Sequence, residues 1–261
     1  MFKLNKRIIF GIGFILLIVV VISLDRLFKK PLPNPIANPI NTSTTTEPEA
    51  EKISQQQIHT PYSANSAPEY TGRPIDEVRF GAGFQAPTQL TQKHKNNLVI
   101  LKKTLTGNPV SSLNDWLTVG IIKKFFNDYE GARDAWEYAS ILYPSNGMVF
   151  SNLGNLYGFY LHDNQKAEFN LKKAIANDPY QPSYYIGLAD FYKVVDASKK
   201  GQVPEVILSG LDKIKDINLY LYLASYYMGI GDKANALKYY QEVLKISPDQ
   251  AGIQEEIGRL K

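Results

Sequence analysis

At 261 residues the chain has room for one or two domains, and its formal charge of +4 is unevenly spread. Residues 1–30 carry six Lys/Arg against one Asp, residues 31–110 seven against six, and residues 111–261 sixteen against eighteen, so the C-terminal part lacks the basic face that a nucleic-acid partner requires. The absence of cysteine removes disulfides, thiolate metal sites, cysteine nucleophiles and cysteine lipidation together.

Residues 1–7 form a short basic tail with Lys3, Lys6 and Arg7. Residues 8–24, IIFGIGFILLIVVVISL, hold seventeen residues without a charge, the lower limit for a helix spanning the hydrocarbon core. The run is longer than the apolar part of a secretory signal, and Ser23-Leu24-Asp25-Arg26 follows it instead of a small-x-small cleavage site. The expectation is therefore an uncleaved membrane anchor; a cleaved signal releasing a secreted protein is the alternative. Arg26, Lys29 and Lys30 nearly balance the basic tail. A short basic tail before a first apolar helix favours a cytoplasmic N-terminus and an extracytoplasmic C-terminal domain.

Residues 25–87 read as a disordered tether. Pro, Asn, Thr, Ser and Gln dominate up to residue 66, too polar to offset the entropy of ordering. Gly81-Ala82-Gly83 is not a phosphate loop, because no Gly-Lys-Ser/Thr follows. His59, His94 and His162 are scattered, with no spaced ligand pair, and read as solvated.

From residue 88 helical periodicity begins. Leu90, His94, Leu98, Leu101 and Leu105 share one helical face and suggest a capping helix. Three later segments end alike, at Pro144, Pro179 and Pro248, spaced by 35 and 69 residues, one period and then two. The first repeat carries Trp116, Val119, Gly120, Ala132, Trp136 and Ala139, with Lys123 at a position where tyrosine is usual. The second carries Leu153, Gly154, Tyr157, Ala167, Leu171 and Ala174 with one extra residue in its turn. The fourth carries Tyr220, Leu223, Ala224, Tyr227, Gly231, Ala236, Tyr240 and Val243. Between them Leu188, Ala189 and Tyr192 start a degenerate third repeat; after an insertion over residues 196–201, Val206, Ile207, Gly210, Leu211 and Ile214 keep helical spacing.

This pattern resembles the tetratricopeptide-repeat (TPR) family over residues 88–261. The resemblance implies an all-α solenoid of about four helical hairpins plus capping helices, with repeats at 113–146, 147–181, 182–216 and 217–250 and a closing helix at 251–261. It also implies a groove lined by first helices that grips a peptide or helix of a protein partner. In this register the groove residues are Leu117, Thr118 and Ile121, then Asn152, Asn155 and Phe159, then Ile186 and Asp190, then Leu221, Tyr222 and Ser225. The amides suit a peptide backbone, and Phe159 and Tyr222 offer apolar sockets. Leu117, Ser183 and Gly187 stand where a carboxylate-clamping subgroup has basic residues, which argues against that ligand. No cofactor is expected. No nucleophile–base pair or metal set is present, and Glu130, Asp134 and Glu137 beside Arg133 read as surface charges, which points away from catalysis. The expected function is a membrane-tethered scaffold or adaptor for an envelope or membrane complex, with a self-associating structural protein as the alternative.

Overall fold

A computed structural model describes residues 60–261. The tail at 1–7, the anchor at 8–24 and the tether before residue 60 lie outside the described residues. Within them are ten α-helices and no strand, and no helix there is long and apolar enough to cross a membrane. The helix α1 (Thr88–Gly107) precedes four hairpins: α2 (Leu113–Phe125) with α3 (Tyr129–Leu142), α4 (Gly147–Leu156) with α5 (Asn164–Asn177), α6 (Pro182–Asp190) with α7 (Val203–Leu211), and α8 (Ile217–Gly229) with α9 (Lys233–Ile246). α10 (Ala251–Leu260) closes the array.

Local chemistry sets the hairpins. In three of them a residue with positive φ, Asn127 (58°), His162 (56°) or Gly231 (82°), ends the first helix. An aspartate follows at once and caps the second helix: Asp128 accepts from Gly131 N–H, Asp163 from Lys166 and Asp232 from Asn235. The backbone N–H of Asp128 reaches back to Lys123 and that of Asp232 to Tyr227, five residues each, whereas Asp163 reaches back six, to Tyr157. The extra residue of the second repeat is thus absorbed as a π-turn, Tyr157–Leu161. Small residues set how closely paired helices approach. A Cβ on Gly120 would fall 2.1 Å from Trp136 Nε1, and one on Gly154 would fall 2.5 Å from Leu171 Cγ.

The third hairpin is shorter. Its first helix also ends in a π-turn, Phe191–Val195, and the insertion forms a 3-10 segment, Ala197–Gln202. Val203, Ile207 and Leu211 are buried on α7, so the repeat is a genuine hairpin despite its departures. Glu168 on α5 pins the insertion: it accepts from Tyr192 Oη at 2.6 Å, lies 2.8 Å from Lys172 Nζ and bonds Lys199. Burial pushes this carboxyl up, but the bonds from Lys172, Lys199 and Tyr192 outweigh it and hold it at about 2.

The expectation of disorder through residue 87 is corrected over residues 60–87, which form a strap packed on α1, α2 and α3. Tyr70 lies 4.9 Å from the Trp116 ring and 5.2 Å from Tyr138, Ile75 is buried, and Phe80 and Phe84 stack at 4.8 Å and meet Phe126. Tyr138 Oη donates to the Pro68 carbonyl at 2.6 Å, and Gly81 N–H to the Phe126 carbonyl at 2.9 Å. The strap needs no apolar periodicity of its own, because the helices already supply the surface and the polar partners.

This docking also explains Lys123. Its side chain is 1% exposed, and its ammonium donates to the carbonyls of Pro74 (3.0 Å) and Glu77 and stands 3.7 Å from Asp128 Oδ2. Burial lowers its proton affinity, opposed in part by Asp128. A tyrosine there could not serve two strap carbonyls.

The capping face of α1 buries Leu98, Leu101 and Leu105, while Leu90 stays 38% exposed. His94 is not solvated as expected: its ring lies 4.4 Å from Phe125 and 6.2 Å from Phe126, and its Nδ1 is buried without a hydrogen bond. Burial, with Lys93 adding to it, holds the imidazole below its usual 6.5. The unfolded chain therefore takes up a proton that the folded state resists, and stability should fall as pH drops below about 6.5. His94→Phe is expected to flatten that acid limb between about pH 6.5 and 5, read as melting temperature against pH; an unchanged limb would exclude His94 as its source.

Candidate functional site

The first helices of the second, third and fourth hairpins touch in succession, and Lys124 of α2 reaches the Tyr160 ring just beyond α4. α6 and α8 are tied by Tyr222 Oη donating to Asp190 Oδ1 at 2.7 Å, and a methyl placed on Gly187 of α6 would stand 3.8 Å from Asn155 Oδ1 of α4. The expected groove residues occupy this face unequally.

Leu117 is not presented: it is 5% exposed in the core, and its carbonyl accepts from Trp136 Nε1 at 3.1 Å. Thr118 is half-buried, its hydroxyl donating to the Asn114 carbonyl at 2.7 Å. Ile121, one turn on, is 55% exposed. Asn152 and Asn155 sit three residues apart on one face of α4, half-buried. Among the described residues neither amide has a hydrogen-bond partner, so both keep donors and an acceptor free for a ligand. Phe159 is half-buried within the π-turn, Ile186 and Leu221 are half-buried, and Ser225 is exposed.

Asp190 and Tyr222 are engaged with each other rather than open to a ligand. Lys193 Nζ stands 3.6 Å from Asp190 Oδ1 and 5.1 Å from the Tyr222 ring centre. Burial first, and then the bond to Asp190, push the Tyr222 hydroxyl far above the usual phenol range, so it stays protonated. Tyr222 is a strut between hairpins, not the apolar socket expected from its position.

Other members of this face were not singled out from sequence. Tyr160 is 37% exposed, 4.8 Å from Tyr129, with Lys124 Nζ 4.5 Å above its ring. Its place follows from the extra residue in the second repeat, which shifts the end of α4 beyond the ordinary register. Exposed Met148 on α4 and Met228 on α8 lie on the same set of helices, and exposed Val194 lies in the π-turn after α6.

The strap adds two clefts of about 380 Å³ each, which a disordered tether could not have suggested. One is lined by Glu69, Arg133, Asp134 and Glu137. Arg133 there donates to Asp134 at 2.7 Å, and the other Asp134 oxygen accepts from the Arg73 backbone N–H at 3.0 Å, so these two side chains are engaged within the fold. The other cleft is lined by Tyr70, Leu105, Trp116 and Tyr138. The signals in the sequence were the apolar residues Ile75, Val78, Phe80 and Phe84, together with the misplaced Lys123. Among the described residues no group of three or more His, Asp or Glu is placed to hold a metal ion.

Residues 217–250 match the family model described as tetratricopeptide repeat. No curated protein matches the chain. Among solved structures, MamA is 20% identical at a TM-score of 0.48, covering 67% of this chain and 99% of its own. PilW, described as a widely conserved type IV pilus biogenesis factor, is 17% identical at 0.48, covering 66% of this chain and 83% of its own. YrrB, described as a TPR protein with an unusual peptide-binding site, is 14% identical at 0.45, covering 64% of this chain and 85% of its own.

Proposed function

We propose that this chain, a tetratricopeptide-repeat protein, is a membrane-tethered adaptor that binds an extended peptide of a partner protein along its first helices. The observation that carries the reading is the pair of unengaged amides, Asn152 and Asn155, on the face shared by α2, α4, α6 and α8, with exposed Ile121 beside them in the register. Two side-chain amides can bond a peptide backbone without reading its side chains, and apolar neighbours add contact area. The reading is binding rather than catalysis: Asp190, Lys193 and Tyr222 on this face are committed to one another.

Residues 8–24 would hold the array at a membrane with the N-terminus in the cytoplasm and the repeats on the opposite side. Tethering would raise the local concentration of the array near membrane partners without any new contact. Such a protein suits the assembly of an envelope or membrane complex. Digestion of the repeats by external protease in intact cells would support that orientation; protection until permeabilisation would reverse it.

The peptide reading is tested by selecting binders from a random peptide library on the full chain. The Asn152→Ala, Asn155→Ala double variant is expected to weaken selected peptides about thirtyfold, at roughly 1 kcal/mol for the hydrogen bond each amide makes, with an unchanged melting temperature. Equal affinity for both proteins, or no peptide selected, would overturn it. Concentration-dependent sedimentation with no peptide binding would favour self-association instead.

A further inference from the structure

The basic surplus of the described residues lies on one helix. α1 carries four lysines and no acidic residue, while residues 60–87 hold two Arg against three Asp/Glu and residues 111–261 hold sixteen basic against eighteen acidic residues. Two of the four lysines are committed: Lys102 Nζ bonds Asp76 at 2.8 Å, and Lys95 Nζ lies 5.2 Å from the Phe80 ring centre. Among the described residues Lys93 and Lys103 have no acidic partner. Leu98, Leu101 and Leu105 turn inward, so the opposite side of α1 presents Lys103 with Val99, 59% exposed, and Ile100, 63% exposed. Two adjacent aliphatic side chains in water, flanked by unpaired lysines, form an amphipathic outer face that the fold itself does not cover.

We propose that this face of α1 docks on an anionic lipid bilayer, with Val99 and Ile100 entering the headgroup region and Lys93 and Lys103 meeting lipid phosphates. The proposal rests on the reading of residues 8–24 as a membrane anchor for its cellular setting, though not for its chemistry. Charge complementarity names the occupant. Lysine is a flexible point charge suited to mobile headgroups, whereas arginine is the residue of fixed bidentate recognition, and α1 has none. Only residues 25–59 separate the apolar run from the strap packed on α1, which keeps the helix within reach of the same surface. Docking there would hold the array against the bilayer by one end and leave the face of α2, α4, α6 and α8 accessible.

The chain has no cysteine, so Asn96→Cys on the exposed side of α1 gives a single attachment point for an environment-sensitive dye. The labelled full chain is titrated with phosphatidylcholine vesicles with and without 30% phosphatidylserine. A blue shift is expected only with the anionic vesicles, reversed by about 0.5 M NaCl as the Debye length contracts. The Lys93→Glu, Lys103→Glu variant should need at least about tenfold more anionic lipid for the same shift, since each lysine near such a surface contributes about 1 kcal/mol. Identical spectra with both vesicle types would overturn the proposal, as would a shift produced by polyglutamate and not by vesicles, which would assign the face to an acidic protein. Flotation with phosphatidylcholine vesicles alone tests the anchor separately: failure there removes the tether while leaving the dye response to decide the docking of α1.

Discussion

Trp116→Ala is expected to destabilise the array by about 3–5 kcal/mol, the range for removing a buried tryptophan. The indole is 1% exposed, lies between Tyr70 (4.9 Å) and Tyr138 (4.7 Å), and donates to the Pro109 carbonyl at 2.8 Å. It therefore joins the strap, the α1–α2 connection and α3 at once. Its loss leaves a cavity and an unpaired carbonyl in a region where the strap has no helix of its own to fall back on. Unfolding in urea, followed by far-ultraviolet circular dichroism, should show the midpoint falling with little change of slope. Residues 60–87 should also become the first site of protease cleavage. A loss below about 1 kcal/mol would mean that the aromatic cluster is not what closes this end.

Asp128→Ala should be at least as damaging, and for a different reason. The Asp128 carboxylate, fully buried, caps α3 through Gly131 N–H at 3.1 Å, bonds Arg73 of the strap and faces Lys123 at 3.7 Å. Removing it deletes a helix cap worth about 1 kcal/mol and strands a buried ammonium, a loss that typically costs about 3–5 kcal/mol. Asp128→Asn keeps the capping oxygen but not the charge, so it should fall between wild type and alanine. Lys123→Met combined with Asp128→Asn should recover part of the loss, because no charge is then left buried between them. Hydrogen exchange over residues 70–80 is the decisive readout. If the strap stays protected in Asp128→Ala, the carboxylate serves only as a cap.

The contrast between these two sites shows how much was legible. Trp116 is marked by the repeat pattern, since a large aromatic four residues before Gly120 has to fill the space between hairpins. Nothing in the repeat pattern singles out Asp128, and Lys123 reads as an anomaly. Their pairing is visible only once Arg73, Pro74 and Glu77, some fifty residues earlier, are laid across them. The groove divides in the same way. That Asn152 and Asn155 share one face of α4 follows from register alone. That Leu117 is buried and that Tyr222 is bound to Asp190 depends on how each hairpin leans on its neighbour, which a period of 34–35 residues does not specify.

By itself the sequence determined the elements and their order. Apolar spacing, small residues at close approaches and prolines after second helices are local signals, each acting within about one period, so they survive being read one residue at a time. Tertiary structure alone decided the fate of residues 60–87, the aromatic setting of His94, the reason for Lys123 and which first-helix side chains remain free. Those outcomes come from contacts between residues far apart in the chain, where burial and charge pairing belong to a surface that no single segment carries. A polar, proline-containing stretch cannot order itself, but it can order against helices that already offer aromatic faces and a buried ammonium for its carbonyls.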